Sequence, residues 1–397
     1  MTYYRSQDWW TSPYNVDHVR ATAIPPRIQI HDATLRDGEQ TPGVVFTPEE
    51  KVRIAQILDG LGVQRIEAGM PAVSEADAAA MKAIADLGLK SQIFSFARAM
   101  EKDILLAKEC GAHGVVIEVP IGKPKLDYQF RWTWRDVAKR SADAVQAAKE
   151  AGLYAVLFPY DTTRAEWDDL ENLLGTVLEQ TRPDSVGVID TVGCVLPAAM
   201  ATLVRRVKNF TGLPVEVHTH NDLGLALANS LSAMEAGAEV IHTCINGLGE
   251  RTGNTSLFEV FVALRTMYGI DFGADLSQLK SLAEEVASLS RVPIMGNAPV
   301  VGDHIFTRES GIGIEMLKEA PLAMFSLNPA FVGQEAKIVL GKKSGLNSIR
   351  VKLAELGVEA TEEQEREILR QVKEYGVANK STVSRDVFVS LVQEVLG

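Results

Sequence analysis

Two imidazoles stand two residues apart in His218-Thr219-His220, where an apolar run ends and a strand is predicted to finish, so both side chains project to the same side. That is the spacing of a metal-ligand pair. A closed barrel would set the first, seventh and eighth strands side by side, which brings Asp37 toward the pair, with Asn254 as a further candidate. Two imidazoles, one carboxylate and an amide oxygen leave coordination positions open, as a catalytic ion requires, and Mg, Mn and Zn all tolerate such a mixture. Packing would explain a His-x-His equally well on its own; the Arg36-Asp37 turn and the Asn-bearing loop at the same barrel end favour the ion. Arg36 beside Asp37 puts a fixed positive charge where an oxyanion could develop, the competing reading being a salt bridge at the rim. Glu67 closes an apolar strand and is a candidate general base, or else the buried partner of Arg36. Thr191 could bind a substrate carboxylate or cap the following helix.

Positioning these residues is a matter of eight repeated units. From Arg27 onward short apolar runs alternate with amphipathic stretches, the pattern of βα repeats. Strands are expected at residues 28–31, 65–68, 92–95, 114–119, 154–158, 185–189, 215–218 and 240–244. Helical stretches between them include 48–61, 75–87, 134–151, 166–180, 197–210 and 224–236, several opening on Pro, Asp or Glu as helix starts prefer. Eight units and no glycine-rich phosphate loop after the first favour a parallel barrel over an open doubly wound sheet. The expected fold class is α/β: a (β/α)8 TIM barrel at 27–273, preceded by an aromatic arm at 1–26 and followed at 274–397 by a linker and a small, mainly helical region. In the last part a helix is expected near 276–289, and the charged tail 361–396 reads as helical. Tyr3, Tyr4, Trp9, Trp10 and Tyr14 make the arm unusually aromatic, so it should pack on something, a neighbouring subunit or its own barrel.

The chain has 397 residues, 46% hydrophobic and 23% charged, ordinary values for a globular protein with a sizeable core. No apolar run approaches the length that spans a bilayer, and residues 1–20 resemble neither a secretory signal nor a transit peptide, so a cytoplasmic location is the expectation. A net charge of −12 argues against nucleic acid or an anionic membrane as the main partner. Cys110, Cys194 and Cys244 are too few and scattered for a disulfide framework and are expected to be buried free thiols.

Five motifs in order, Asp32-Ala-Thr-Leu-Arg-Asp-Gly-Glu-Gln40, Ile66-Glu-Ala-Gly-Met-Pro71, Asp190-Thr-Val-Gly193, His218-Thr-His-Asn-Asp222 and Gly247-Leu-Gly-Glu-Arg-Thr-Gly-Asn254, resemble the isopropylmalate synthase, homocitrate synthase and HMG-CoA lyase superfamily of metal-dependent barrels. A weaker likeness at Val332-Gly333 and Val339-Leu-Gly-Lys-Lys-Ser-Gly345 looks like the subdomain that follows the barrel in the synthases. The resemblance implies Asp37, His218 and His220 on the ion with Asn254 near or on it, Arg36 at the developing oxyanion, and Thr191 at the substrate carboxylate. Gln40, Arg98 and Arg164 join Thr191 as candidate substrate-binding residues. It also implies acetyl-CoA as co-substrate, a 2-oxo acid as acceptor and a homodimer, at a length similar to the shorter homocitrate-type synthases without a full regulatory domain. Three positions depart from the family pattern. Gly313 stands where a proton-transferring histidine is usual, Tyr160 where strand five usually ends in an acid, and Lys343 where Lys-His-Ser-Gly has its histidine. Tyr160 is therefore a candidate catalytic residue in its own right.

The first reading is an acyltransferase joining acetyl-CoA to a 2-oxo acid, with Lys342, Lys343, Arg350 and Lys352 either meeting CoA phosphates or forming a solvated face. The second is a lyase or aldolase on the same platform, which the missing histidine favours and the lack of a cysteine in residues 246–254 opposes. A non-catalytic 2-oxo acid binder is the third.

Overall fold

A computed structural model of the chain describes residues 3–314 and 316–397. The described residues fall into two units. The larger comprises Pro13–Asp275 and Leu282–Ile294, the smaller everything up to Ser12, Leu276–Ser281 and Met295–Gly397.

The larger unit opens with helix α1 (Tyr14–Ala21) and then alternates strand and helix: β1 (Gln29–Asp32), α2 (Pro48–Gly60), β2 (Arg65–Glu67), α3 (Glu75–Asp86), β3 (Gln92–Arg98), α4 (Glu101–Glu109), β4 (Gly114–Pro120), α5 (Trp134–Glu150), β5 (Tyr154–Tyr160), α6 (Trp167–Gln180), β6 (Ser185–Asp190), α7 (Pro197–Thr211), β7 (Val215–Thr219), α8 (Ala226–Glu235), β8 (Val240–Thr243) and α9 (Leu257–Ala263). The eight strands are parallel and close into a barrel, β1 pairing with β2 on one side and with β8 on the other. This is the expected TIM barrel. Helix starts are set locally: Thr47 and Glu50 form a reciprocal capping box ahead of Pro48, and Ser74 caps α3. Helix α4 went unpredicted, because its short Glu-Lys-Asp start masks a single buried face of Asp103, Ile104 and Ala107. Strands β3 and β5 run three and two residues past their expected ends at Ser95 and Phe158, and the added residues include Arg98 and Tyr160.

Strand register decides which side chains fill the barrel. His31 lies opposite both Arg65 and His242, Glu67 opposite Phe94, Phe96 opposite Val116, Glu118 between Arg98 and Phe158, and Ile189 opposite His218. Barrel interiors are ordinarily layers of Val, Ile and Leu. Here one side is apolar but half aromatic, with Phe94, Phe96, Val116, Val156, Phe158 and Ile189 packed together. The other side carries fully buried His31, Arg65, Glu67, Glu216 and His242.

Helix α10 (Leu279–Ser290) follows a short 3-10 turn at Leu276–Gln278 and runs through the point where the chain divides. In the smaller unit come a two-stranded parallel pair, β9 (Thr307–Arg308) and β10 (Lys337–Ile338), with the four-residue α11 (Met316–Glu319) in between, then α12 (Leu346–Leu356), α13 (Glu362–Asn379) and α14 (Arg385–Leu396). The charged tail is thus two helices, broken where Lys380 takes a left-handed backbone conformation. Ile349, Leu353, Ile368, Val372, Phe388 and Val392 form their shared core. Trp9 of the aromatic start packs within this unit, its ring 5.2 Å from Phe331 and its Nε1 donating to the Tyr3 carbonyl, whereas Trp10 is exposed and Tyr14 is an exposed residue of the larger unit. Arg350 and Lys352 are paired with Glu365 and Glu355, so half of the anticipated basic cluster is neutralised. Gly313 has φ 73°, and a β-carbon there would fall 2.9 Å from Met324 Sδ, so the turn is built around a residue without a side chain. All three cysteines are free, as expected, but Cys194 is exposed where burial was anticipated, because it sits in the loop after β6. Among the described residues no helix is long and apolar enough to cross a membrane.

Candidate metal centre and active site

Asp37 lies just past β1, in a turn whose amides at residues 36, 37 and 38 all donate to the Ala33 carbonyl. His218 and His220 come from β7 and its end. The structure brings the three together: His218 Nε2 and His220 Nε2 are 3.3 Å apart, and lie 3.5 and 3.7 Å from Asp37 Oδ2. Ligands about 2.1 Å from a tetrahedral ion are about 3.4 Å from each other, so the triangle has the size such an ion needs. Burial holds His218 below the usual imidazole range, and burial followed by the neighbouring His218 brings His220 down to about 4. Both rings are neutral at pH 7, the form that binds metal. Burial opposes the Asp37 charge, but Arg36 and the two histidines outweigh it and keep the carboxyl well below its ordinary range.

The loop after β8 supplies Asn254. Glycines 249 and 253 let it double back: a β-carbon on Gly253 would run into the Gly247 carbonyl, and one on Gly249 into the Asn254 amide. The returning chain pairs with the end of β7, Asn221 N donating to the Gly253 carbonyl, and buried Thr219 and Thr255 hydroxyls meet at 2.6 Å. Asn254 Nδ2 donates to Asp37 Oδ2 at 2.6 Å and to the Leu248 carbonyl at 2.9 Å, while its buried Oδ1 has no partner. The amide therefore orients Asp37 and keeps one oxygen spare. These donors fit a divalent ion: one anionic oxygen, two neutral imidazoles and an unused amide oxygen.

Arg36 is held from two sides. Its Nη1 donates to Asp37 Oδ1 at 2.8 Å, its Nε to Glu67, and its guanidinium lies 4.0 Å above the Phe96 ring, leaving buried Nη2 without a partner. That spare donor beside the metal triad is what an oxyanion would meet. Glu67 is engaged by Arg36 and by His31, which donates to it at 3.0 Å. Burial works against the Glu67 charge, yet Arg36 and then His31 bring it down to about 2. A carboxylate so paired is a poor general base, so the geometry assigns Glu67 the ion-pair reading. The chain of polar contacts continues downward. His31 stacks on His242 (4.2 Å, 4° between planes), His242 donates to Glu216 at 2.9 Å, and Glu216 accepts from Arg65 at 2.7 Å. His31, Glu216 and His242 also gather potential ligand atoms. Parallel rings send their lone pairs side by side instead of toward one point, and both Nε2 atoms face carboxylates while both Nδ1 atoms are buried without a partner, so the contacts form a polar ladder between the strands.

The remaining candidates scatter around the mouth. Arg164 grips Asp161 with both arms, at 2.8 and 2.7 Å, and the Thr191 hydroxyl accepts from Asp161 N. Arg98 is forked onto Asp103. Gln40 is exposed. Tyr160 is half-buried, and burial followed by Glu118 and Asp161 pushes its phenol above the ordinary range, so it stays protonated and can donate but not abstract. The motifs also contain Asp222 and Arg251, whose fork at 2.8 and 3.2 Å, with Arg251 donating to the Thr191 carbonyl, ties three loops together. Sequence reasoning missed Glu118, the one acid in Val-Val-Ile-Glu-Val, and the inward-facing ladder. Ionisable residues at alternate positions inside β-branched runs were the available signal.

Residues 27–286 match the family model HMGL-like, and residues 300–380 match the model described as homocitrate synthase post-HMGL domain-like. The chain belongs to the HMGL-like family. This HMGL-like protein is 43% identical to homocitrate synthase AksA of Methanopyrus kandleri, over 92% of both chains. It is 39% identical to 2-isopropylmalate synthase of Methanocaldococcus jannaschii, covering 94% of this chain and 73% of that one. It is also 39% identical to (R)-citramalate synthase CimA of the same organism, covering 93% and 75%. Among solved structures, an HMG-CoA lyase of Bacillus subtilis superposes with TM-score 0.61 at 18% identity, over 68% of this chain and 96% of its own. At that identity the lyase likeness speaks to the barrel fold alone.

Proposed function

We propose that this protein condenses acetyl-CoA with a 2-oxo acid, releasing free CoA and a 2-hydroxy acid that carries an additional carboxylate. The observation that carries the reading is the convergence of Asp37, His218 and His220 beside an arginine with an unused, buried donor. A divalent ion, Mg, Mn or Zn, held by Asp37, His218 and His220 would polarise a carbonyl as a Lewis acid. The chain's own residues do the rest. Arg36 Nη2 faces the oxygen that gains charge when the methyl carbon of the acetyl group bonds to the ketone carbon and the carbonyl pair moves onto oxygen. Glu67 and Asp37 fix the arginine, so that donor is already aimed before charge develops. Asn254 holds Asp37, and Thr191, Arg164 and Gln40 stand at the mouth where the acceptor's carboxylate would bind. Water then cleaves the thioester to a carboxylate and a thiol.

Purified protein supplied in turn with Mg, Mn and Zn, acetyl-CoA and pyruvate, oxaloacetate, 2-oxoglutarate or 2-oxoisovalerate should release thiol with at least one acceptor. Silence with all of them would remove the condensation reading. Metal-dependent cleavage of a 2-hydroxy acid is then the second reading, and it is favoured by Gly313, which stands where the synthases carry a histidine and whose φ of 73° suits glycine.

A further inference from the structure

The condensation needs a group to take a proton from the acetyl methyl carbon, and the two positions where the family pattern would supply one hold Gly313 and Tyr160. Most carboxyls around the barrel's upper end are committed. Asp32 accepts from Thr34 and Thr243, Asp37 from Arg36 and Asn254, Glu67 from Arg36 and His31, Asp161 from Arg164, and Asp190 from Thr163. Glu118 differs from these. It projects into the barrel from β4, level with Phe158 and Arg98, and no hydrogen bond or ion pair engages its carboxyl among the described residues.

Glu118 also borders a space. Together with Met100, Phe130, Trp132, Tyr160 and two arginines, Arg98 and Arg140, it lines a cavity of about 230 Å³ whose surface is mostly apolar, enough for a small acyl group. Phe96, the ring beneath the Arg36 guanidinium, faces Val116, one inward position below Glu118 on β4. Arg36 is the charged group that acts most strongly on Glu118, followed by Asp37 and Glu67. A free carboxyl thus stands on the opposite wall from the metal triad, next to an apolar space and within the field of the oxyanion-binding arginine.

We propose that Glu118 is the acid–base residue of the condensation, taking the proton from the acetyl methyl group as the new C–C bond forms. The inference rests on the reading under Proposed function. In the step, a C–H bond breaks, its electron pair forms the bond to the ketone carbon, the carbonyl pair passes to the oxygen facing Arg36, the proton resides on Glu118 until solvent takes it, and the alkoxide takes a proton from solvent to become the product's hydroxyl. The desolvated setting suits the role: burial raises the Glu118 carboxyl, while Arg36 opposes that shift, and a base tuned upward abstracts protons more effectively near neutral pH. Tyr160, protonated beside it, donates a hydrogen bond to the thioester oxygen.

The test uses the full chain loaded with its activating metal. Glu118→Gln should lower kcat for thiol release by about 10²–10⁴-fold, with KM for both substrates within about threefold of wild type. Its metal content and circular dichroism should be unchanged. Methyl-deuterated acetyl-CoA should give a larger isotope effect on kcat in the variant than in wild type, since proton removal becomes limiting. Glu118→Asp, which keeps the carboxylate one methylene short, should fall between the two. A Glu118→Gln enzyme that keeps its kcat, or loses only in KM, overturns the assignment. Wild type that releases no thiol with any acceptor overturns it by removing the condensation itself, and that outcome is told apart because it precedes any variant.

Discussion

Replacing Glu67 by glutamine removes one charge from the ladder and keeps the shape. Glu67 is fully buried, and its carboxyl is brought to about 2 in the folded chain from its ordinary 4.5, burial resisting and Arg36 and His31 prevailing. The folded pKa is depressed, so the stabilisation is fully present above pH 4.5 and is lost as pH falls through 2. A difference of 4.5 − 2 = 2.5, at about 1.4 kcal/mol for each pH unit, corresponds to about 3 kcal/mol. Breaking a buried pair by removing one partner costs about 3–5 kcal/mol by direct comparison, so the two routes agree. At pH 7 the Glu67→Gln protein should therefore be about 3 kcal/mol less stable in urea. Its activity should fall because Arg36 loses one of its two clamps, and the fall should be the same at every pH from 6 to 9, since Glu67 does not titrate there. A variant as stable as wild type, or one whose pH–rate profile loses a limb, would refute the reasoning and return Glu67 to the role of base.

The metal site can be tested by comparing two substitutions. His218→Ala should weaken the ion by more than about 100-fold, while Asn254→Ala, if its part is to orient Asp37, should weaken it only by about 10–100-fold; equal losses in metal content after dialysis would make Asn254 a ligand of the same rank. Glu259 offers a pH test away from the chemistry. Burial alone raises its carboxyl from 4.5 to about 7, so its contribution to stability is whole below 4.5 and disappears as pH rises through 7. Glu259→Gln should gain up to about 3 kcal/mol over wild type at pH 8–9 and almost nothing at pH 5; a gain independent of pH would contradict it.

The barrel and the convergence of Asp37, His218 and His220 were legible because their signals are local or periodic. Eight apolar runs at a steady beat call for eight strands, and His218-Thr219-His220 at a strand end needs only the twofold alternation of β structure to put both rings on one side. Partnership was harder to read. Whether Glu67 serves as base or counter-ion depends on His31, thirty-six residues earlier, and on the neighbouring Arg36 pointing inward. The helix α4 and the late ends of β3 and β5 were missed for a related reason: charged residues such as Arg98 look like a strand's end until the barrel's rim offers Asp103 as partner. The aromatic start of the chain announced that it would pack, but nothing in Trp9 names Phe331.

The division of the barrel's lumen into a charged side and an aromatic side has a consequence for how such an enzyme could be altered. Strands β1, β2, β7 and β8 are bound to one another by acid–base contacts running from Asp37 down to Arg65, so an exchange at one rung disturbs its neighbours. The Phe96, Val116, Val156 and Phe158 wall holds no ion pair of its own, but Phe96 supports Arg36 and Phe158 rests against His218 and His242, so Val116 and Val156 are its freer positions. A new acceptor could therefore be accommodated by recarving β3 to β5 only at positions that leave Phe96, Glu118, Phe158 and Tyr160 in place.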